Sequence, residues 1–218
     1  MTATRITSDQ QKLLAQLDPA LGRLAARGIF RTYRKNTVIL TEGEPGDSLF
    51  VVLQGQVKAY STDEEGREVI YGTIVSGDYF GEMSLDGGTR SASVMTVEPT
   101  LVSVVSRQGV QEHLEAEPAF AMRLVTQVIR RARGATEKAR QMALMNVYGR
   151  LIHALEEKGA AQPQQPIELK PVTHQQIASQ VGASREMVSR LLKDLERGGY
   201  VELGVKRITL MKKLPARW

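Results

Sequence analysis

Short apolar runs separated by polar turns follow one another along the first half of the chain, a pattern that is typical of short β-strands. After a short amphipathic opening segment (Leu13 to Leu24), residues 28 to about 106 contain four runs rich in valine, isoleucine, tyrosine and threonine. The runs are TVILTEGE, LFVVLQGQVKAYS, EVIYGTIVSGDYFG and SASVMTVEPTLVSVVS. Glycine-bearing turns such as GEPGDS and DEEGRE separate them at short intervals. This arrangement predicts an antiparallel β-roll of the jelly-roll type.

From about Glu117 to Lys158 the period of the apolar residues changes to roughly 3.5 positions, which predicts one long helix. With Val125 as the first a position of a heptad, the a positions are Val125, Ala132, Ala139 and Asn146, and the d positions are Val128, Ala135, Met142 and Gly149. Small side chains in this seam would let two helices approach closely. The pattern favours a homodimer formed through the long helix. The alternative is a long helix that packs on its own domain.

The last third of the chain predicts two helices and a hairpin. A polar, proline-bearing segment, GAAQPQQPIELKP, is expected to be a joint. Beyond it, Thr173 can cap a first helix, Gly182 suits a tight turn, and Ser184 can cap a second helix. The hairpin sequence GGYVELGVKRITLM follows, so the pattern is that of a winged helix-turn-helix.

These three patterns define the expected organisation. The fold class is α+β, with an N-terminal antiparallel β-roll, a long dimerisation helix and a C-terminal winged helix-turn-helix. The expected domain boundaries are 1–116, 117–158 and 159–218.

Composition excludes several classes of protein. The chain has no cysteine, which excludes disulfides, iron–sulfur clusters and thiolate-bound haem. No apolar run approaches the roughly 18 residues of a membrane span, and the N-terminus lacks an apolar signal segment. We therefore expect a cytoplasmic protein without a membrane partner.

Charge is unevenly distributed along the chain. Residues 1–146 carry 17 basic and 17 acidic residues, whereas residues 147–218 carry 12 basic and 7 acidic ones, so the whole net charge of +5 lies in the last third. A basic C-terminal unit indicates a polyanionic partner such as DNA. The alternative is an ordinary basic surface.

The second helix of the last third offers side chains that suit DNA. Opposite its apolar stripe it presents Ser184, Arg185, Glu186, Ser189, Arg190 and Lys193. Arginine can bond guanine O6 and N7 together, and glutamate can accept from cytosine N4. Thr173, Gln175 and Lys193 suit phosphates, which position a protein without reading sequence. The alternative is an amphipathic helix with a charged outer face.

The stretch GEMSLDGGTRSASV places Glu82 and Arg90 eight positions apart among the predicted strands. It could be a solvated turn with a charge on either side, or a cradle for a small anion. A small anion suits a guanidinium beside the donors of a tight turn. Arg90 is expected at the start of a strand, outside the core.

No catalytic constellation is visible in the sequence. The three histidines, His113, His153 and His174, lie in three different contexts, so a metal site of the kind found in β-roll oxygenases has no ligand set. No nucleophile and base pair stands out either. We expect a protein that is not an enzyme.

The motif FGEMSLDGGTRSASV, the long helix and the motif ASREMVSRLLKDLE, in this order, resemble the Crp/Fnr family of bacterial transcription regulators, from roughly Ile29 to Met211. The resemblance implies a cyclic-nucleotide-binding β-roll, a dimerisation helix and a winged helix-turn-helix. It also implies that Ser184, Arg185, Glu186 and Arg190 read TGTGA-like half-sites of a palindromic operator. RNA polymerase stays open as a further partner. A cyclic-nucleotide sensor without DNA binding stays open as an alternative, which the arginine-bearing second helix argues against.

The same resemblance assigns a ligand site. Glu82 would accept from a ribose hydroxyl, and Arg90 would pair with the cyclic phosphate. The implied set is Gly81, Glu82, Met83, Ser84, Arg90, Ser91 and Ala92, with Ala135 and Thr136 from the long helix.

This sequence departs from the family's cyclic AMP-binding members in two ways. The loop between Glu82 and Arg90 is shorter, and Ala135 replaces one of two hydroxyl residues that meet adenine. The favoured ligand is cyclic AMP, and the alternatives are cyclic di-GMP or no ligand. In the last case the stretch would be a packing feature, with Arg90 bridging Glu82 or Asp86.

Overall fold

A computed structural model describes residues 6–160, 166–169 and 172–215. The chain forms two compact units. The first consists of Met1–Ser61 and Ile70–Arg131, and the second of Thr62–Val69 and Ala132–Trp218.

Helices and strands follow the two patterns seen in the sequence. The helices are α1 (Ser8–Ala15), α2 (Pro19–Ala26), α3 (Arg107–Ala116), α4 (Pro118–Leu144), α5 (Val147–Gly159), α6 (His174–Val181) and α7 (Arg185–Arg197). The strands are β1 (Ile29–Tyr33), β2 (Val38–Leu40), β3 (Ser48–Gln54), β4 (Gln56–Thr62), β5 (Glu68–Val75), β6 (Tyr79–Phe80), β7 (Ser93–Thr96), β8 (Thr100–Ser106), β9 (Ile167–Leu169), β10 (Val201–Gly204) and β11 (Arg207–Leu210). A one-turn 3₁₀ helix, Glu82–Ser84, lies between β6 and β7.

The first unit is built around the antiparallel β-roll, as predicted. One sheet has the order β1-β8-β3-β6 and the other the order β2-β7-β4-β5. Strand β3 pairs with β8 and β6, and β7 pairs with β2 and β4, all antiparallel.

Strand β3 is apolar on both faces because both faces are covered. Leu49, Val51 and Leu53 belong to the core that includes α2 and α3. Phe50 and Val52 point to the opposite face and belong to the core between the two sheets. Successive side chains of a strand alternate between faces, so a continuous apolar run is what a covered inner strand requires. Each fully buried aliphatic side chain contributes about 1.5–3 kcal/mol of transfer free energy.

A buried histidine lies in the first of these cores. His113 on α3 is only 2% exposed and its ring meets the ring of Phe120 edge-on, with centroids 5.1 Å apart. Its Nε2 has no hydrogen-bond partner among the described residues. Burial lowers the pKa of His113 below its ordinary value, and Arg27 and Arg23 act in the same direction, while Glu117 opposes them. The imidazole is therefore neutral in the folded protein at pH 7.

This histidine should make the free energy of unfolding depend on pH. The pKa of His113 is lower in the folded than in the unfolded chain, where it is about 6.5. As pH falls below that value, the unfolded chain binds the extra proton and stability decreases, by at most about 1.4 kcal/mol per pH unit. In His113→Leu the loss of stability between pH 7 and pH 5 should be smaller than in the parent, as measured by urea denaturation. The matched variant His153→Gln, at an exposed position on α5, should retain the parent's slope.

The single long helix predicted over 117–158 is two helices. Helix α4 ends at Leu144, and α5 begins after Asn146, which has extended backbone angles (φ −71°, ψ 172°). The Asn146 side chain accepts from the backbone N–H of Gly149 at 2.8 Å and so caps α5. Asparagine competes with helix continuation because its side chain bonds nearby backbone groups. Asn146 and Gly149 therefore do not extend the heptad seam, and that part of the prediction is wrong.

The second unit contains the predicted helix-turn-helix and hairpin. Thr173 caps α6 in a capping box with Gln176, and Ser184 caps α7. Gly182 ends α6 with φ +63°, in the left-handed region that glycine tolerates best. Strands β10 and β11 form the hairpin, which β9 extends to three strands.

Strand β9 lies inside the segment expected to be a polar joint. Its apolar residues Ile167 and Leu169 pair with β11, and Leu169 is buried in the core of the second unit. Gly159 and Ala160, at the start of the expected joint, form the end of α5 and its cap. Residues 161–165 and 170–171 of the joint lie outside the described residues.

Candidate functional site

A tight turn opens the cassette, defined here as residues 81–92. Gly81 follows β6 with φ +86° and precedes the 3₁₀ turn Glu82–Ser84. A Cβ on Gly81 would lie 2.8 Å from the Ser48 carbonyl oxygen and equally close to the Arg90 guanidinium. Both the backbone conformation and the close approach therefore require glycine.

Arg90 is held inside the first unit by neutral acceptors. Its Nη1 donates to the carbonyl oxygens of Ser48 (3.0 Å) and Gly81 (2.9 Å) and to Oγ of Ser84 (2.6 Å). Among the described residues, no carboxylate forms an ion pair with it. The loop residue Gly46 lies directly against the guanidinium, since a Cβ there would come within 2.1 Å of Nε.

The expected position of Arg90 outside the core is wrong. The residue is only 7% exposed, because the loop containing Gly46 covers it and its backbone pairs with Gly43 and Glu44. Burial lowers the pKa of Arg90, while Asp47 and Glu82 are near enough to raise it. An arginine stays protonated despite such a shift.

Glu82 is a buried carboxylate with a partner from α4. Its Oε1 lies 2.5 Å from Nη1 of Arg131, and its side chain is 3% exposed. Arg131 also donates to the Tyr79 carbonyl oxygen and lies 5.7 Å from the centroid of the Tyr79 ring, a cation–π distance. Removing one member of a buried pair leaves an uncompensated charge, which costs several kcal/mol, on the order of 3–5.

The remaining predicted ligand residues are placed differently. Met83 and Ser91 are exposed and touch each other through a hydroxyl-to-sulfur contact of 3.3 Å, and Ala92 is half-buried. The first unit therefore brings together Gly81, Glu82, Ser84 and Arg90.

Ala135 and Thr136 belong to the second unit and are exposed on α4. The Thr136 hydroxyl donates to the Ala132 carbonyl oxygen at 3.0 Å.

The second helix of the helix-turn-helix is amphipathic as predicted. Val188, Leu192 and Leu195 on α7 are fully buried in the core of the second unit. The opposite side carries the residues predicted to meet DNA, of which Ser184, Arg185, Glu186, Arg190 and Lys193 are exposed and Ser189 is half-buried.

On α6 and at its cap, the two residues predicted to contact phosphates lie near the helix start. Gln175 is exposed, whereas Thr173 is half-buried and uses its hydroxyl to cap the helix.

Arg150 fastens the turn between α6 and α7. From α5, its Nε donates to the Val181 carbonyl oxygen at 2.8 Å and its Nη1 to the Met145 carbonyl oxygen at 2.7 Å. A guanidinium can satisfy such carbonyls at helix ends because its donors are fixed in one plane. The bonds hold the end of α6 against the start of α5.

Comparison with known proteins agrees with the β-roll of the first unit and with the helix-turn-helix of the second. Residues 30–117 match the model of the cyclic nucleotide-binding domain, and residues 149–214 match that of the Crp-like helix-turn-helix domain. The cAMP-activated global transcriptional regulator CRP of Salmonella typhimurium is 30% identical over 201 residues, which cover 89% of this chain and 95% of the relative. The chain belongs to the Crp/Fnr family. As a family member it is a DNA-binding transcription regulator with a cyclic nucleotide-binding domain.

Further relatives in the Crp/Fnr family are named for different ligands. The cAMP-activated global transcriptional regulator Vfr of Pseudomonas aeruginosa is 32% identical over 199 residues, with 87% of this chain and 92% of Vfr covered. Among solved structures, the c-di-GMP responsive global regulator CLP of Xanthomonas campestris superimposes with a TM-score of 0.78 at 26% identity, covering 89% of this chain and 99% of CLP. The catabolite activator protein of Thermus thermophilus gives a TM-score of 0.53 at 30% identity.

Two arginines of this Crp/Fnr chain were missed by the sequence analysis. No role was predicted for Arg131, although a buried Glu82 needs a cation. Arg150 carries no motif, and its partners are backbone carbonyls 31 and 5 positions away. The sequence predicted one continuous helix over 117–158, so it gave no signal for a contact at the start of α5.

The described part of this Crp/Fnr chain shows neither a metal-binding cluster nor a membrane-spanning helix. Within residues 6–160, 166–169 and 172–215, no three histidine or acidic side chains cluster in a way that could hold a metal ion. Over the same residues, no helix combines the length and apolar character needed to cross a membrane.

Proposed function

We propose that the chain is a homodimeric transcription regulator whose affinity for its operator rises when a cyclic nucleotide, most favourably cyclic AMP, binds the cassette. Arg90 binds the cyclic phosphate, and Glu82 accepts from a ribose hydroxyl. RNA polymerase belongs to the same proposal as a further partner.

The observation that carries the ligand proposal is the charge state around Arg90. The guanidinium is buried, and its three hydrogen-bond acceptors among the described residues are all neutral. A buried charge without a counter-charge is costly, and an anionic ligand compensates it. Glu82 lies at the same turn but is paired with Arg131 rather than with Arg90. The Arg90 guanidinium thus has no carboxylate in direct ion-pair contact among the described residues, while Asp47 and Glu82 act on it from a greater distance, and a cyclic phosphate would give it a direct anionic partner.

The same observation weighs against the ligand-independent alternative. If the cassette were only a packing feature, Arg90 would be expected to bridge Glu82 or Asp86. Neither ion pair occurs among the described residues, and the Asp86 carboxylate instead accepts from the backbone N–H of Gly88 at 2.8 Å.

Cyclic AMP is favoured over cyclic di-GMP by the relatives with the higher identity, CRP and Vfr, both named as cAMP-activated. Cyclic di-GMP stays the second candidate, because CLP, named as c-di-GMP responsive, superimposes well on this chain. Position 135 also bears on the choice, since Ala135 offers no hydroxyl to a base and Thr136 offers one.

The dimer part of the proposal is supported by an apolar stripe on α4. Met122, Val125, Val128 and Ile129 are between 40% and 67% exposed, and they recur at the spacing of one helix face. An exposed apolar stripe of this kind is unfavourable in water and suits the same stripe of a second copy.

For DNA, we propose that Ser184, Arg185, Glu186 and Arg190 read TGTGA-like half-sites. Lys193, Thr173 and Gln175 contact the DNA phosphates, and Ser189 lies on the same surface. In a dimer the half-sites would be about 34 Å apart, one helical turn.

The proposal is tested by two titrations of the purified full chain. Calorimetry measures binding of cyclic AMP, cyclic GMP and cyclic di-GMP, and fluorescence anisotropy measures affinity for a palindromic TGTGA duplex with and without each nucleotide. The expected result is binding of cyclic AMP together with tighter operator binding. If no cyclic nucleotide binds at millimolar concentration, the ligand proposal is wrong and the cassette is structural.

Replacing Arg185 with alanine should reduce discrimination between bases. The lost contact is expected to cost about 1–3 kcal/mol of specificity, or roughly 10- to 100-fold, with little effect on the fold because Arg185 is exposed. Anisotropy with the preferred duplex and single-base variants measures the effect. Arg197→Ala, at the other end of α7, is the matched control and should leave discrimination unchanged. Equal discrimination by Arg185→Ala and the parent would contradict the assignment of α7.

A further inference from the structure

His174 lies among the residues predicted to contact DNA, although the sequence analysis assigned it no role. It is the first residue of α6, between Thr173 and Gln175, and its Nδ1 lies 2.9 Å from Oγ of Ser189 on α7. This hydrogen bond joins the two helices of the helix-turn-helix and limits rotation of the imidazole. Among the described residues, Nε2 of the same ring has no hydrogen-bond partner. The side chain is half-buried, so its outer edge reaches solvent on this surface.

The charges that act on His174 are all positive. Partial burial lowers its pKa most, and Arg185 and Lys193 on α7 lower it further by repulsion. Helix α6 carries no other titratable residue. The hairpin reaches this segment through a backbone bond from the Val172 N–H to the Lys206 carbonyl oxygen. In the free protein near neutral pH, the imidazole is therefore uncharged.

We propose that His174 is a further DNA contact, which binds a backbone phosphate through Nε2 in its protonated form and makes operator affinity depend on pH. This inference rests on DNA binding by the helix-turn-helix. The proton comes from solvent, one for each half-site. In the imidazolium, Nδ1–H donates to the Ser189 hydroxyl and Nε2–H donates to the phosphate oxygen. Ser189 is thus a positioning residue that fixes the direction of Nε2.

The expected direction follows from linkage between proton binding and DNA binding. Double-stranded DNA carries about one negative charge per 1.7 Å of its axis, so phosphates beside the ring reverse the positive field of Arg185 and Lys193. The pKa of His174 is below 6.5 in the free protein, and it rises in the complex. The complex then binds more protons than the separate partners. Affinity for DNA should therefore increase as pH falls, on the order of 10-fold between pH 8 and pH 6.

The test uses the full chain and a palindromic TGTGA duplex at constant ionic strength. Anisotropy gives the affinity at pH 8, 7 and 6, and calorimetry in buffers of different ionisation enthalpy counts the protons taken up. For the parent we expect rising affinity and an uptake of up to about one proton per half-site. His174→Gln should lose both the pH dependence and the proton uptake that the parent shows.

A second variant separates the electrostatic role from a structural one. His174→Arg carries a permanent cation, so its affinity should not vary with pH and should exceed that of the parent at pH 8. Its dependence on salt at pH 8 should steepen by about one counterion per half-site. His153→Gln, which changes the exposed histidine of α5, is the matched control and should keep the pH dependence of the parent.

Two kinds of result would overturn the inference about His174. The first leaves the proposed function standing, and the second contradicts the proposed function as well. If the parent binds the duplex with the same affinity from pH 6 to pH 8, or if His174→Gln keeps the pH dependence, His174 is not a phosphate contact and the proposed function stands. If the parent binds no DNA at any of these pH values, the proposed function fails as well.

Discussion

Replacing Arg90 with leucine should weaken cyclic nucleotide binding by roughly 100-fold or more. Truncating one partner of a buried, hydrogen-bonded charge pair costs about 2–5 kcal/mol, because the phosphate would be left without its counter-charge. Operator affinity, which should rise with nucleotide in the parent, should become insensitive to nucleotide in Arg90→Leu. Calorimetric titration with cyclic AMP and anisotropy with a labelled operator duplex measure the two effects.

Two further variants make this result interpretable. Because Arg90 donates to Ser48, Gly81 and Ser84, its removal leaves buried acceptors unpaired, at about 1–3 kcal/mol each, so the variant should also be less stable. Arg90→Lys keeps a cation and separates loss of charge from loss of fold. Arg34→Leu, at an exposed position, should bind nucleotide as the parent does. If Arg90→Lys and Arg90→Leu are both folded and bind with the affinity of the parent, the phosphate assignment is wrong.

Introducing glutamate at Val128 should convert the dimer into monomers. Two like charges would face each other in the apolar stripe of α4, at a position that is 40% exposed in the single chain. Each monomer would hold one half-site, so operator affinity should fall by roughly 100-fold or more as bivalent binding is lost. Sedimentation velocity measures the oligomeric state, and anisotropy measures operator affinity.

The matched control adds the same charge to the same helix. Gly134 is exposed, lies at least about 120° around α4 from every member of the stripe, and has open space where a Cβ would be added. Gly134→Glu should therefore remain a dimer and bind the operator normally. If Val128→Glu also remains a dimer, the stripe of Met122, Val125, Val128 and Ile129 faces something other than a second copy.

The β-roll and the helix-turn-helix could be predicted because their signals are local. Alternating apolar residues, glycine turns and the capping residues Thr173 and Ser184 act on their own neighbours in sequence, and the structure uses both caps as expected. The end of α4 was missed for the opposite reason. The heptad pattern continues through Asn146, but the capping bond of that side chain to Gly149 outweighs a favourable seam position. A periodic pattern records which residues could share a face and does not record where the backbone leaves the helix.

The cassette was predicted only in part because its geometry depends on residues far apart in the chain. The motif identified Glu82 and Arg90, yet the partner of Glu82 is Arg131, 49 positions later, and Arg90 is covered by Gly46. Neither contact has a fixed spacing that a motif could encode. The burial of Arg90 likewise follows from the covering loop and not from its place near a strand.

The ion pair between Glu82 and Arg131 means that ligand affinity depends on contacts within the protein as well as on contacts to the ligand. A ribose hydroxyl that bonds Glu82 either displaces Arg131 or shares the carboxylate with it. Arg131 belongs to the same chain, so its local concentration at Glu82 is fixed by the fold rather than by diffusion. The ligand affinity measured in solution then reflects the difference in free energy between the bond of the ribose hydroxyl to Glu82 and the ion pair of Arg131 with Glu82. Evolution can adjust that difference through Arg131 and its neighbour Tyr79, so related regulators can differ in sensitivity while every motif residue of the cassette stays the same.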